Sequence, residues 1–152
     1  MAVFDSFGIN ASGLTAERYR MDIISQNVAN ANTTRTDDGE PYTRKVVTFR
    51  EKNDPHASFS AYLASNQSKY NRTGMLGVKV GGVYEDAHTD YKMVYDPSHP
   101  DADENGYVTY PNVNIISEMT NLIDASRAYE ANATAFNSSK AIVQTGLNVG
   151  KT

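Results

Sequence analysis

The densest run of oxygen-bearing side chains is Asp101, Asp103 and Asn105, closed by Gly106. Oxygens at alternate places with a glycine at the sixth form the first half of a calcium loop. There hard oxygens ring the ion and the glycine makes the tight turn. The second half does not follow. The twelfth place is Asn112, where a bidentate glutamate is needed, and Pro97 and Pro100 bar an entering helix. An acidic Asn-Gly turn leading into a strand fits the segment better. His56, His88 and His99 lie far apart, and none has a ligand partner at helical spacing. His88 stands near Asp86 and Asp90, a weak carboxylate–histidine set whose simpler reading is a solvated loop. There is no GxSxG, phosphate loop or GxGxxG, and Gly77 with Gly81–Gly82 lacks the following Lys-Ser/Thr. The expectation is therefore a chain that is not an enzyme, with no catalytic residue, cofactor or metal.

Composition narrows the classes further. Hydrophobic residues make up 39% and mean hydropathy is -0.54, so apolar side chains must be concentrated to build any core. Net charge is -4 and the longest basic cluster is Arg44–Lys45, which argues against nucleic acid and against a basic membrane-surface helix. With no cysteine, disulfides and thiolate metal sites are excluded. No apolar run approaches the roughly 20 residues that span a bilayer, so no membrane insertion is expected. The N-terminus has neither a basic region nor a continuous apolar stretch after it. Work outside the cytoplasm would thus be reached without a cleaved signal.

The concentration is found at the two ends. Phe4, Phe7, Ala11, Leu14, Met21 and Val28 follow an alternating three–four spacing, with Arg18 and Ser25 at the skipped places. That is one face of a helix with the coiled-coil period. Gly8 and Gly13 weaken it, so the first dozen residues are expected to be loosely helical until something binds them. Near the other end Ile115, Met119, Leu122, Ser126, Tyr129, Ala133, Phe136, Lys140, Val143 and Leu147 recur at four and three without a proline. Asn112 or Asn114 can cap this helix and Gly150 can end it. Between the stripes, Tyr42–Phe49, Leu76–Tyr84, Tyr91–Tyr95 and Gly106–Tyr110 read as strands, with turns at Asp37-Asp38-Gly39 and Gly81-Gly82. The expected fold class is α+β: long N- and C-terminal helices pack as a coiled-coil-like pair around a small β-rich middle. The expected divisions are residues 1–32, 33–111 with a variable loop at about 50–75, and 112–152.

Part of each stripe can be satisfied by the other helix inside one chain. A full account in those terms fails, because Ile116, Ile123, Ala125, Ala128 and Ala141 widen the last helix's apolar face beyond its seam. Uncovered apolar surface of that size marks an interface. The candidate assembly residues in the first segment are Phe4, Phe7, Leu14, Met21, Asn27, Val28, Asn30 and Asn32. In the last they are Ile115, Met119, Leu122, Tyr129, Asn132, Phe136, Val143 and Leu147. Asn27 and Asn30 share a face, where an amide can fix helix register. They can equally serve the helix end, with Asn30 and Asn32 capping and turning the chain.

Several motifs carry a resemblance. Ser25-Gln26-Asn27-Val28-Ala29-Asn30-Ala31-Asn32-Thr33 resembles the N-terminal motif of flagellar rod and hook proteins. Tyr95-Asp96-Pro97-Ser98-His99-Pro100, Asn105-Gly106-Tyr107-Val108, Tyr110-Pro111-Asn112-Val113-Asn114, Glu118-Met119 and Arg127-Ala128-Tyr129-Glu130-Ala131-Asn132 resemble the bacterial flagellar basal-body rod family, in its proximal rod branch. The resemblance fades only over about residues 50–75. It implies an axial structural protein exported through the flagellar type III system without a cleaved signal, located in the basal body. Such a protein builds a helical tube around a central channel and transmits motor torque. The implied partners are its own copies, other proximal and distal rod proteins, and the membrane-ring junction. A closed coiled-coil adaptor and a small calcium-binding module are the alternatives.

Overall fold

The structure, a computed structural model, describes residues 2–52 and 77–150, with side chains of the first helix from Ser6 onward. The side chain of Phe4, Leu76, His56 and the expected loop beyond residue 52 lie outside the described residues. Helix α1 (Ala2–Ala29) is followed by β1 (Lys45–Glu51), β2 (Val78–Glu85), β3 (Lys92–Tyr95), β4 (Tyr107–Tyr110) and helix α2 (Ile115–Val149). The α+β class and the long terminal helices agree with the periodicity. None of the described helices is long and apolar enough to cross a membrane.

Helix α1 is continuous from Ala2, through the residues expected to be loose. It stops at Ala29 because the asparagine-rich run turns the chain. Asn30 Nδ2 donates to the Gln26 carbonyl at 2.9 Å, and Thr33 Oγ1 donates to Asn30 Oδ1 at 3.2 Å. Asn114 caps α2, with Oδ1 accepting from the Ile116 and Ser117 amides at 3.0 and 3.3 Å. Its extended backbone frees the side chain for that geometry. Asn112, the other candidate cap, is drawn into the interior instead.

The strands form two antiparallel pairs, β1 with β2 and β3 with β4. Gly81–Gly82, expected as a turn, sits inside β2. Thr48 faces Gly82 and Phe49 faces Val80, which leaves Gly81 as the extra residue of a bulge. Strand β1 begins at Lys45 rather than Tyr42, because the Tyr42 amide donates to the Thr33 carbonyl and its ring is buried. Ser12 ties β2 to α1 by accepting from the Val78 amide at 3.1 Å. The β3–β4 pair is tied in through side chains, with Thr34 Oγ1 donating to Asp101 Oδ2 at 2.8 Å and Thr43 sharing a hydrogen bond with the Tyr91 hydroxyl at 2.6 Å.

The terminal helices run antiparallel. Ser6 meets Ser139 (3.4 Å), Phe7 meets Phe136 edge-on with ring centroids 5.0 Å apart, and Asn27 meets Glu118 (3.0 Å). Small side chains let them approach: Ala16 and Ala125 are buried. A Cβ on Gly13 would stand 2.9 Å from Asn132 Oδ1. Gly13 therefore exchanges helix propensity for close packing. Helix α2, at 35 residues about 52 Å long, outreaches α1, at 28 residues about 42 Å.

Gly13→Ala alone gains little, because the Asn132 amide must swing off its bond to the Ala128 carbonyl (2.9 Å). In an Asn132→Ala background the same change is expected to stabilise by about 1 kcal/mol, the glycine-to-alanine helix difference. Urea unfolding of both variants in parallel checks the contrast.

Candidate functional site

Three long polar side chains meet where both helices face the start of β1. Glu118 is 1% exposed. One of its oxygens, Oε1, accepts from Arg44 Nε and Nη2 at 2.9 and 2.7 Å, and Oε2 accepts from Asn27 Nδ2 at 3.0 Å. A carboxylate taken out of water needs such charged and polar donors, since its desolvation otherwise costs several kcal/mol. Asn27, also 1% exposed, is saturated. Its second Nδ2 hydrogen goes to the Lys45 carbonyl at 2.8 Å. Its Oδ1 accepts from the Tyr42 hydroxyl and the Lys45 amide, both at 2.9 Å.

Asn112 extends this cluster to the entrance of α2. Its Oδ1 accepts from the Arg44 amide at 2.8 Å, while its Nδ2 donates to the carbonyls of Asp86 and Thr89 at 2.8 and 3.0 Å. Arg44 Nη1 reaches Asp86 Oδ2 at 3.3 Å. Burial pulls the Arg44 guanidinium down, but the hydrogen bonds and charge of Glu118, then of Asp86, hold it above its ordinary value. Burial, then the charges of Glu118 and Glu85, push the Tyr42 hydroxyl up. The Thr89 hydroxyl foremost, with the His88 amide, holds Asp86 below its usual range. The side-chain amides of Asn27 and Asn112 and three N–H groups of Arg44 are each turned onto a fixed partner, so the cluster joins segments of the chain.

The acidic loop before β4 is likewise occupied by its own backbone. Asp103 Oδ1 accepts from the Asn105 and Tyr107 amides at 2.9 and 2.8 Å, and Gly106 takes φ +82°. A Cβ on Gly106 would also stand 2.9 Å from the Tyr95 ring. This is a turn. Among the described residues no group of His, Asp and Glu could hold a metal ion.

The expected seam on α2 divides. Leu122, Tyr129, Phe136 and Val143 are half-buried. They share the inward face with Glu118, Ala125, Asn132 and Ser139, at the same four–three spacing. Met119 and Leu147, expected in line with them, are 55% and 64% exposed, and Ile115 is 43% exposed. Leu147 lies beyond the stretch that faces the described part of α1. On α1, Phe7, Leu14, Met21 and Val28 are half-buried toward the pair. Asn27 is wholly interior, Asn30 serves the helix end, and Asn32 is exposed. Glu118, Arg44, Tyr42 and Asn112 have no place in the stripes. The readable signal for Glu118 was a carboxylate set among Ile115, Met119 and Leu122 one turn past the cap.

Apolar surface stays open on the helix pair. Ile116, Met119 and Ile123 form an exposed row on the side of α2 away from α1, next to a groove of about 750 Å³ lined in part by Ala31, Val94, Tyr110 and Ile115. Further along, Leu14, Arg18, Tyr129 and Phe136 line a second groove of about 510 Å³ between the helices.

Residues 9–35 match the family described as flagella basal body rod protein, and residues 104–149 match the flagellar basal body rod FlgEFG protein C-terminal region. The chain is 44% identical over 155 residues to the flagellar basal-body rod protein FlgC of Bacillus subtilis, covering 99% of this chain and 100% of that one. It is 41% identical to the FlgC of Borreliella burgdorferi, covering 98% of each, and 38% identical to that of Escherichia coli O6:H1, covering 99% and 100%. The chain belongs to the FlgC family of flagellar basal-body rod proteins. The two matched segments carry most of α1 and all of α2, and they bring Asn27, Asn112 and Glu118 to the cluster. Arg44, Tyr42 and Asp86 come from the segment between them.

Arg44→Ala strips the buried Glu118 of its cation. It is expected to lower the unfolding free energy by about 3 kcal/mol, the low end for breaking a buried pair, because the Arg44 side chain is itself 25% exposed. Urea titration followed by circular dichroism measures it. Asp86 titrates below the ordinary value of 3.8 in the folded chain, so it adds stability above that pH. That contribution is lost as pH falls through the lower folded value. Asp86→Asn should therefore lower stability at neutral pH and flatten its loss below about pH 4, as read by urea unfolding across pH.

Proposed function

We propose that this chain is a non-enzymatic structural subunit of the flagellar basal-body rod, assembling helically with its own copies and with other proximal and distal rod proteins. In this reading it is a proximal rod component that adjoins the membrane-ring junction. The resulting tube encloses the export channel and transmits torque, and the subunit reaches it through the flagellar type III system without a cleaved signal. Near-full-length similarity to FlgC proteins supports the rod assignment. The observation that carries the assembly mode is the α2 row of Ile116, Met119 and Ile123, 78%, 55% and 53% exposed. Apolar side chains at that exposure gain stability when a neighbour covers them.

The seam residues then fall into two roles. Phe7, Leu14, Met21, Val28, Leu122, Tyr129, Asn132, Phe136 and Val143 hold the helix pair together and present its flanks. Ile115, Met119 and Leu147, with Ile116 and Ile123, meet neighbours directly. Asn32 belongs with the second group, and Asn27 and Asn30 keep the subunit's own geometry.

Met119→Asp/Ile123→Asp places charge on the outward row alone. The expected outcome is loss of rod assembly and swimming, with export retained and the unfolding free energy changed by no more than about 0.5 kcal/mol. Swimming-plate assays, export blots and urea unfolding read these three. Normal swimming would count against the outward row as an interface.

A further inference from the structure

The apolar contacts between α1 and α2 repeat. On α1, Leu14, Met21 and Val28 recur every seven residues, and on α2 so do Leu122, Tyr129, Phe136 and Val143. A pattern with a seven-residue translation packs about as well after sliding two turns. The small residues do not forbid it. A slide that sets Gly13 against Ser139 or against Ala125 still opposes a glycine to a small side chain. Charge alone does not forbid it either, because one slide sets Arg20 against Glu118 and offers the carboxylate another guanidinium.

What no slide can reproduce is the pairing of Asn27 with Glu118. Asn27 cannot move, since Lys45 and Tyr42 hold three of its four hydrogen-bonding positions. Its remaining N–H points at Glu118 Oε2, whose companion oxygen is gripped by Arg44. After a slide in either direction that buried N–H faces Ala125 or the chain ahead of α2 and loses its acceptor.

We infer that the Asn27–Glu118 pair, with Arg44, sets the axial register of α1 on α2 and so fixes where along α1 the outward row of α2 stands. These are positioning residues. The inference rests on the proposed rod function only for its consequence, since register decides at what height along α1 Met119 and Ile123 meet a neighbour. The register itself is a property of the single subunit and can be measured there.

The chain has no cysteine, so engineered pairs report register directly. Ser6 and Ser139, with Oγ atoms 3.4 Å apart, suit a disulfide in the observed register. A seven-residue slide sets position 6 against position 146 or 132. A side chain at Gly146 meets nothing within 4 Å. The purified, dilute full chain carrying Ser6→Cys with Ser139→Cys, Gly146→Cys or Asn132→Cys is oxidised, and bridged monomer is quantified by mass. With native Glu118 the 6–139 bridge is expected to dominate the shifted bridges by at least about tenfold, as one charged hydrogen bond implies. Glu118→Ala is expected to bring a shifted bridge to within a few-fold of 6–139, with helix content by circular dichroism retained. Glu118→Gln in an Arg44→Met background keeps an acceptor for Asn27 without opposing an amide NH2 to the guanidinium, and is expected to restore the preference. Exclusive 6–139 bridging in Glu118→Ala would assign the register to Asn112 and apolar packing, and would overturn the inference. So would Glu118→Gln with Arg44→Met behaving like Glu118→Ala. Loss of helix in Glu118→Ala would also overturn it, since the cluster would then carry the fold rather than choose among registers. None of these outcomes depends on rod assembly.

Discussion

One buried carboxylate organises the subunit. Glu118, at 1% exposure, has left water and must find its compensation inside the chain. Arg44 supplies two N–H groups and Asn27 a third, which forces residues 42–45 to lie across both helices. The same logic recurs at Asn112, whose amide bridges the Arg44 amide to the carbonyls of Asp86 and Thr89. A fully satisfied polar cluster can specify one arrangement where a lean apolar core cannot. The buried apolar set among the described residues is small, with Ala16, Ile23, Ile24 and Ala125 at its centre, and it would tolerate several arrangements.

Helix approach explains the divided seam. Gly13 and Ala16 on α1 and Ala125 and Ser139 on α2 are small, so the backbones come close and the inward face centres on them. Large side chains fit only along one flank, where Leu122, Tyr129, Phe136 and Val143 lie. Ile115, Met119 and Ile123 are then rotated out. A seam centred on those bulkier residues would hold the helices farther apart and carry Glu118 away from Asn27. The polar cluster and the small-residue contact thus favour the same rotation of α2.

The helices were legible because their signals are long and redundant: ten regular positions without a proline, an asparagine to cap and asparagines to stop. Short strands were legible in kind, though β1 starts three residues later than its β-branched and aromatic content suggested, because Tyr42 is used as a core hydroxyl donor. The rotation of α2 was legible in part: Leu122, Tyr129, Phe136 and Val143 lie inward as their spacing suggested, but the row of Glu118, Ala125, Asn132 and Ser139 beside them is too polar for hydropathy to single out. Arg44 looked like half of a surface basic pair, since its partner lies 74 residues away in sequence. Asn27 carried both readings, register and helix end. Its four hydrogen bonds assign it to the interior, whereas Asn30 is the residue that serves the helix end.

The division between polar interior and apolar exterior has a consequence for the proposed assembly. Directional hydrogen bonds demand fixed partners, and here they close within one chain, so they make no demand on a neighbour. Apolar contacts tolerate small changes of angle, which suits surfaces that must meet different rod subunits along one shaft. The two open apolar features are unlike each other and displaced along the helix pair. One is the row at residues 116–123, and the other is the groove between Leu14, Arg18, Tyr129 and Phe136. Self-complementary patches close into dimers, whereas two different patches joined copy to copy continue indefinitely. In the proposed assembly, a subunit with two dissimilar outer surfaces repeats because each copy offers the next the surface that the previous copy left uncovered.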